Sequence, residues 1–226
     1  MKPSPWDNSL ITRDRAAEYY SYVEALSEWD LPYQLTCGGH TAETIRFQAN
    51  VTQHSPNVFT VPWLTPEYCA RIIDRYKHLT YTPNDEEPED AQIPEIVLYT
   101  KDKPMAYELE ALYDATLSPL VQLLTGCEIE DVASIQLARY EPNRTYQGCY
   151  HLDQDSDITV TVALNDDYEG GGLSVCEGHG ILSPAPVVVP KLSVGTASVF
   201  KGKSMLHMGQ PVTKGTKHLL VFWMKT

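Results

Sequence analysis

Residues 158–165 read ITVTVALN, a run in which Ile, Val and Val alternate with threonine before an asparagine closes it. That period of two is the period of a β-strand. Segments of the same kind lie on both sides: ASIQLARY (133–140), LSVC (173–176), APVVVP (185–190), ASVF (197–200) and HLLVFW (218–223), separated by Gly, Pro and Asn. Several closely spaced strands of this type predict an antiparallel sandwich or barrel. Upstream of about residue 130 the character differs. NVFTVPWL (57–64) and IPEIVLYT (93–100) read as strands. Thr65 and Pro66 mark the start of a helix running through EYCARIIDRYKHL. A second helix spans 104–125, kinked near Pro119 and ended by Gly126. Residues 13–29 have helical composition, 31–56 read as a mixed loop region, and TPNDEEPEDAQ (82–92) as an acidic, proline-broken loop. Helices first and strands after give an α+β layout with helices backing one sheet. The expected organisation is an N-terminal extension, 1–56, packed on a domain of 57–226.

The charge is unevenly spread. The net charge is −13, yet residues 179–226 hold six lysines and no Asp or Glu. The rest therefore carries all 30 acids, a local balance of −19. A surface this acidic repels phosphate backbones and argues against a nucleic-acid partner. No run of about 18 apolar residues occurs, which argues against a membrane span. The N-terminus, MKPSPWDNSL, has no apolar leader, and the five cysteines are scattered without a CxxC pair. They read as reduced thiols, so a cytoplasmic location is expected.

The chemistry concentrates in GCYHLDQDSD (148–157) and KSMLHMGQPVTKGTKHLLVFW (203–223). In a strand, side chains two apart share a face, so His151 and Asp153 can converge while Leu152 turns away. His207 arrives 56 residues later on another strand. Two imidazoles and one carboxylate leave three open positions on an octahedral metal, the arrangement suited to non-haem iron(II). An HxD alone is weak evidence; Lys217, ten residues beyond His207, raises it. A cation there can pair with the distal carboxylate of a chelating keto acid. Lys217 and Leu219 share one face of the last strand and His218 the other. Against this stands the plainer reading of satisfied core histidines and a solvated lysine. A zinc hydrolase also uses such ligands, but has no use for the lysine.

YHLDQDSDITVTVALNDDYEGGG followed by HMGQPVTKGTKHLLVFW resembles the catalytic domains of prolyl and lysyl hydroxylases, closest to that of the procollagen lysyl hydroxylases. The likeness extends through NVFTVPWLTPEYCARII and IPEIVLYTKDK, covering roughly residues 57–226. It implies a double-stranded β-helix (jelly roll) with helices packed on the major sheet, and an oxygenase using Fe(II), 2-oxoglutarate and O2, with ascorbate as reductant. Carried over position by position, His151, Asp153 and His207 match the iron ligands. Lys217 matches the basic residue that binds 2-oxoglutarate, where lysyl hydroxylases usually carry Arg and collagen-type prolyl hydroxylases Lys. Tyr140 matches a tyrosine that contacts the cosubstrate. Asn165 and Thr213 are further candidates for lining the pocket, against a role in strand ends and turns.

The resemblance implies hydroxylation of an aliphatic C–H on a lysyl or prolyl residue of a peptide or protein. A free amino acid or other small metabolite is the alternative substrate, and a non-catalytic jelly-roll binding module the alternative class. The cluster Asp85, Glu86, Glu87, Glu89 and Asp90 would favour a cationic substrate, although acidic loops are common solvated features. Tyr19, Tyr20 and Tyr22 mark either a partner surface or packing within the domain.

Overall fold

The computed structural model describes residues 51–83, 92–142, 148–178 and 185–226. The expected helix at 13–29, its tyrosines, most of the 1–56 extension and the acidic cluster Asp85–Asp90 lie outside the described residues. The fold begins with β1 (Thr52–Ser55), a strand inside a segment whose sequence reads as loop, and β2 (Val58–Pro62). Helix α1 (Pro66–Tyr76) opens as the sequence predicts: Pro66 occupies the first turn and Thr65 Oγ1 accepts from the Tyr68 N–H at 3.1 Å. It ends at Tyr76, earlier than its apolar pattern suggests.

The segment IPEIVLYT is a strand only over β3 (Glu95–Val97). Leu98–Lys101 forms one helical turn, α2, closed by a bond from Asp102 N–H to Leu98 O. The Asp102 carboxylate then caps α3 (Lys103–Thr116), accepting from the Met105 N–H. The expected kinked helix at 104–125 is instead two helices, α3 and α4 (Ser118–Thr125), broken at Leu117. Pro119 has no N–H to continue the ladder of α3. Gly126, at φ 69°, ends α4 in the left-handed conformation.

Among the described residues the elements that follow are strands: β4 (Asp131–Tyr140), β5 (Ile158–Ala163), β6 (Glu169–Gly170), β7 (Leu173–Val175), β8 (Val187–Val189), β9 (Thr196–Phe200), β10 (His207–Gly209), β11 (Val212–Lys214) and β12 (Lys217–Lys225). Seven strands form a major antiparallel sheet in the order β1-β2-β9-β5-β12-β4-β3. Strands β10-β7-β8 and β11-β6 form two small antiparallel sheets. This is a double-stranded β-helix of α+β class.

Both faces of the major sheet are covered, which explains why its strands alternate two kinds of buried residue. Ile158, Val160 and Val162 of β5 and Leu220, Phe222 and Met224 of β12 belong to the core shared with Ile72, Leu109, Leu112, Tyr113 and Leu120 of the helices. Trp63 ties the layers together: its ring meets Tyr113 and Phe222 edge-on, and Nε1 donates to Thr116 Oγ1 at 2.8 Å. The alternate residues Thr159, Thr161, Lys217, Leu219, Val221 and Trp223 face the small sheets and line a cavity between the layers. Among the described residues no helix is long and apolar enough to cross a membrane.

Candidate metal centre

His151, Asp153 and His207 converge, with one donor atom of each lying within 4.8 Å of the others. The route differs from the strand alternation expected for His151 and Asp153. His151 forms an isolated bridge to His207, each backbone N–H donating to the other's carbonyl at 3.0 Å. Asp153 follows in a loop, its N–H bonded to Gly202 O at 3.1 Å. Paired backbones therefore set the two histidines side by side, with ring centroids 4.4 Å apart.

Each imidazole is oriented by its own chain. His151 Nδ1 donates to Cys149 O at 2.8 Å and His207 Nδ1 to Met205 O at 2.9 Å. A carbonyl only accepts, so Nδ1 carries the proton and Nε2 points inward as the ligating nitrogen. The Nε2 atoms lie 3.5 and 3.4 Å from the Asp153 oxygens. Proton and metal cation thus compete for the same positions. Burial alone would raise the Asp153 pKa, but hydrogen bonding to His151, His207 and Thr159 holds it well below the usual carboxylate range. Thr159 Oγ1 donates to Asp153 Oδ2 at 2.6 Å and also contacts Ser156 Oγ at 2.9 Å. Phe200 closes the other side, 4.6 Å from the His207 ring. Two neutral nitrogens and one anionic oxygen fit a divalent transition metal of intermediate softness.

Lys217 reaches the same cavity from β12, whose Lys217 pairs in register with Tyr140 of β4. The cavity holds about 100 Å³. Lys217 Nζ lies 4.8 Å from the Tyr140 ring centroid and donates to Gly172 O at 3.5 Å. Burial lowers the Lys217 pKa from 10.5 to about 7. Such a desolvated amine gains strongly from an anionic partner. Gly171 of YEGGG makes room for it: a Cβ there, at φ +73°, would lie 3.2 Å from Lys217 Cδ and 2.6 Å from the Tyr168 ring. Leu219 faces the cavity with Lys217, and His218 faces away, as strand alternation predicts.

Tyr140 lines the cavity, with its hydroxyl beside Gly209. Asn165 and Thr213 stand apart from it. The Asn165 amide donates to Thr216 O at 2.7 Å and its oxygen accepts from His218 N–H at 2.8 Å, so it fastens the turn before β12. Thr213 is exposed on β11. Asp155 and Asp157 form surface ion pairs with Lys225 and Lys203. Sequence reasoning missed Thr159, Phe200, Trp223 and Glu95 in the cavity wall. For Thr159 the signal was the inward threonine of ITVTV; Glu95 had none, since its strand is three residues long.

No protein-family profile matches the chain. It is 36% identical over 99 residues to a PKHD-type hydroxylase of Delftia acidovorans (strain DSM 14801 / SPH-1), and 37% identical over 73 residues to one of Polaromonas sp. (strain JS666 / ATCC BAA-500). These stretches cover 38% and 31% of this chain, but only 40% and 29% of those relatives. Among solved structures it superposes on a prolyl hydroxylase from Trichoplax adhaerens in complex with a hypoxia inducible factor peptide fragment, with a TM-score of 0.58, 14% identity and 91% of each chain covered. The α-ketoglutarate-dependent carbocyclase SnoK of nogalamycin biosynthesis gives 0.55 at 16% identity, covering 83% of this chain and 85% of that one. A 2OG-Fe(II) oxygenase from Burkholderia pseudomallei gives 0.55 at 18% identity, covering 75% and 84%. At these identities the superpositions show a shared fold.

Proposed function

We propose that the chain is an Fe(II)- and 2-oxoglutarate-dependent dioxygenase that hydroxylates an aliphatic C–H on a lysyl or prolyl residue of a peptide or protein. The observation that carries this is the pairing, in one cavity, of an inward-pointing His151–Asp153–His207 set with the desolvated Lys217 ammonium. His151, Asp153 and His207 would hold the iron, and Lys217, beside Tyr140, would hold the distal carboxylate of the keto acid. The likeness to PKHD-type hydroxylases and the fold shared with 2-oxoglutarate oxygenases support the same reading. A zinc hydrolase would leave the buried lysine without a task.

Iron and a keto acid, when bound, would supply oxidative decarboxylation coupled to insertion of one oxygen atom. The protein's part is orientation and exclusion of water. The carbonyls of Cys149 and Met205 fix the imidazole tautomers, and Thr159 fixes the carboxylate. With three protein ligands, a bound metal would keep coordination positions open for the keto acid and dioxygen. Lys217 is a point charge without the bidentate fork of arginine, so it orients the keto acid jointly with its neighbours. Phe200, Leu219 and Val221 keep apolar surface around the reacting centre.

The test is mass spectrometry of lysine- and proline-containing peptides incubated in air with Fe(II), 2-oxoglutarate and ascorbate. The expected result is gain of one oxygen by one peptide class with native protein and none with Asp153→Ala. Unmodified peptides alongside modified free amino acids would move the substrate to small metabolites.

A further inference from the structure

We propose that the keto-acid pocket extends past Lys217 and also takes the next longer 2-oxo dicarboxylic acid, an inference that rests on the keto-acid reading above. Behind the main cavity lies a second one of about 20 Å³. Thr161, Leu173, Lys217 and Leu219 line both, so the two adjoin along the lysine side chain. The second cavity runs between β5 and β9 of the major sheet and β7 and β8 of the small one.

Strand register sets the order of the groups along this route. Thr159 of β5 holds the Asp153 carboxylate, and Thr161 and Ala163 follow on the same face. Each two-residue step carries the chain about 7 Å further from the metal set. A keto acid chelating at the metal therefore passes Thr161 before it reaches the second cavity. Ala163 leaves that cavity open: it pairs with Leu219 across β5 and β12, at a position where a larger side chain would occupy the space.

The second cavity is equipped for a carboxylate. Thr161 and Ser198 pair across β5 and β9 with their hydroxyl oxygens 2.6 Å apart, and Ser198 is fully buried. Two hydroxyls bring two hydrogens and the bond between them uses one, which leaves the other to donate to an anion. Gly171 lines the same cavity and has no Cβ to crowd Lys217 Cδ, so the lysine stem has room to lean that way. A lysine ammonium on its flexible stem follows a displaced carboxylate, whereas the planar fork of an arginine favours one position. The space is that of about one water-sized group, so one added methylene fits and two do not.

The experiment is anaerobic calorimetry of 2-oxo acids binding to the Fe(II)-loaded protein. The probes are 2-oxoglutarate, its homologues 2-oxoadipate and 2-oxopimelate (one and two methylenes longer), and 2-oxohexanoate, which lacks the distal carboxylate. Native protein is expected to bind 2-oxoadipate within about tenfold of 2-oxoglutarate, and the other two about 100-fold more weakly or worse. Ala163→Val fills the second cavity and should cost 2-oxoadipate about tenfold or more while leaving 2-oxoglutarate binding unchanged. Ser198→Ala removes only a hydroxyl and should likewise weaken 2-oxoadipate more than 2-oxoglutarate. Three results overturn the extended pocket while 2-oxoglutarate binding still stands. They are 2-oxoadipate binding that falls below the tenfold window, 2-oxopimelate binding as well as 2-oxoadipate, and folded variants that lose both dicarboxylic acids equally or neither. Failure of 2-oxoglutarate itself to bind overturns the keto-acid reading and the extended pocket with it.

Discussion

Lys217 is the residue whose environment makes the sharpest demand. Its ammonium is buried, and its pKa is lowered to about 7 by that burial. In the keto-acid-free protein it is protonated below that pH and increasingly neutral above it. A dicarboxylate binds the protonated form, so binding above about pH 7 must bring a proton with it. Calorimetry at pH 8 in buffers of different ionisation enthalpy should show uptake of up to one proton per 2-oxoglutarate, with affinity falling as pH rises. Lys217→Met should weaken keto-acid binding about 100-fold or more, as expected for loss of a buried charge partner. It should not lower stability at pH 6. The unfolded lysine titrates near 10.5, so folding carries a penalty for this group that is full below about pH 7 and fades as pH rises towards 10.5. Asp153 makes a second demand. Thr159→Val removes the 2.6 Å hydrogen bond to its Oδ2 and should lower metal affinity by about tenfold in a titration. The ligands and Lys217 were legible because their chemistry has characteristic spacing in the chain. The role of Thr159 was not, because alternation turns it inward without saying which group it meets, and a residue that supports a ligand has no fixed sequence offset from it.

At the scale of elements, the alternation is plainest in β4, β5 and β12 of the major sheet, where one face meets helices and the other the cavity. The cap at Thr65 and the stop at Gly126 were equally legible, since each depends on one local residue type. The misreadings have local causes too. IPEIVLYT keeps an apolar pattern past Val97, but Asp102 and Pro104 commit the chain to a new helix, and a helical turn intervenes. Thr52–Ser55 is polar and owes its strand conformation to pairing with β2, a long-range choice that periodicity does not report. In the small sheets, LSVC and APVVVP hold β7 and β8 as the sequence reads, whereas β6 and β11, two and three residues long, fall below what alternation can resolve. One glycine couples several elements. Gly195, at φ +78°, donates to Ala163 O at 2.7 Å and accepts from the Trp63 and Leu64 N–H groups, each at 2.9 Å. A Cβ there would collide with the Leu64 carbonyl. Gly195→Ala should therefore destabilise the fold by about 2 kcal/mol or more in denaturant titration, well beyond the effect of a surface glycine.

For the whole molecule, the layers divide the labour. Helices α1, α3 and α4 bury the apolar residues on one side of the major sheet and make it a stiff floor. The small sheets close the other side and carry His207, which leaves a cavity lined by polar and apolar side chains together. On the proposed reading this cavity would couple a metal at His151, Asp153 and His207 to a keto acid at Lys217. Succinate formation from 2-oxoglutarate with Fe(II) and ascorbate, compared between native protein and His151→Ala, tests that coupling. Oxygen-dependent succinate from native protein, absent in His151→Ala and stimulated by substrate, is the predicted result. Folded, iron-loaded native protein that forms no succinate with any peptide or amino acid would contradict it.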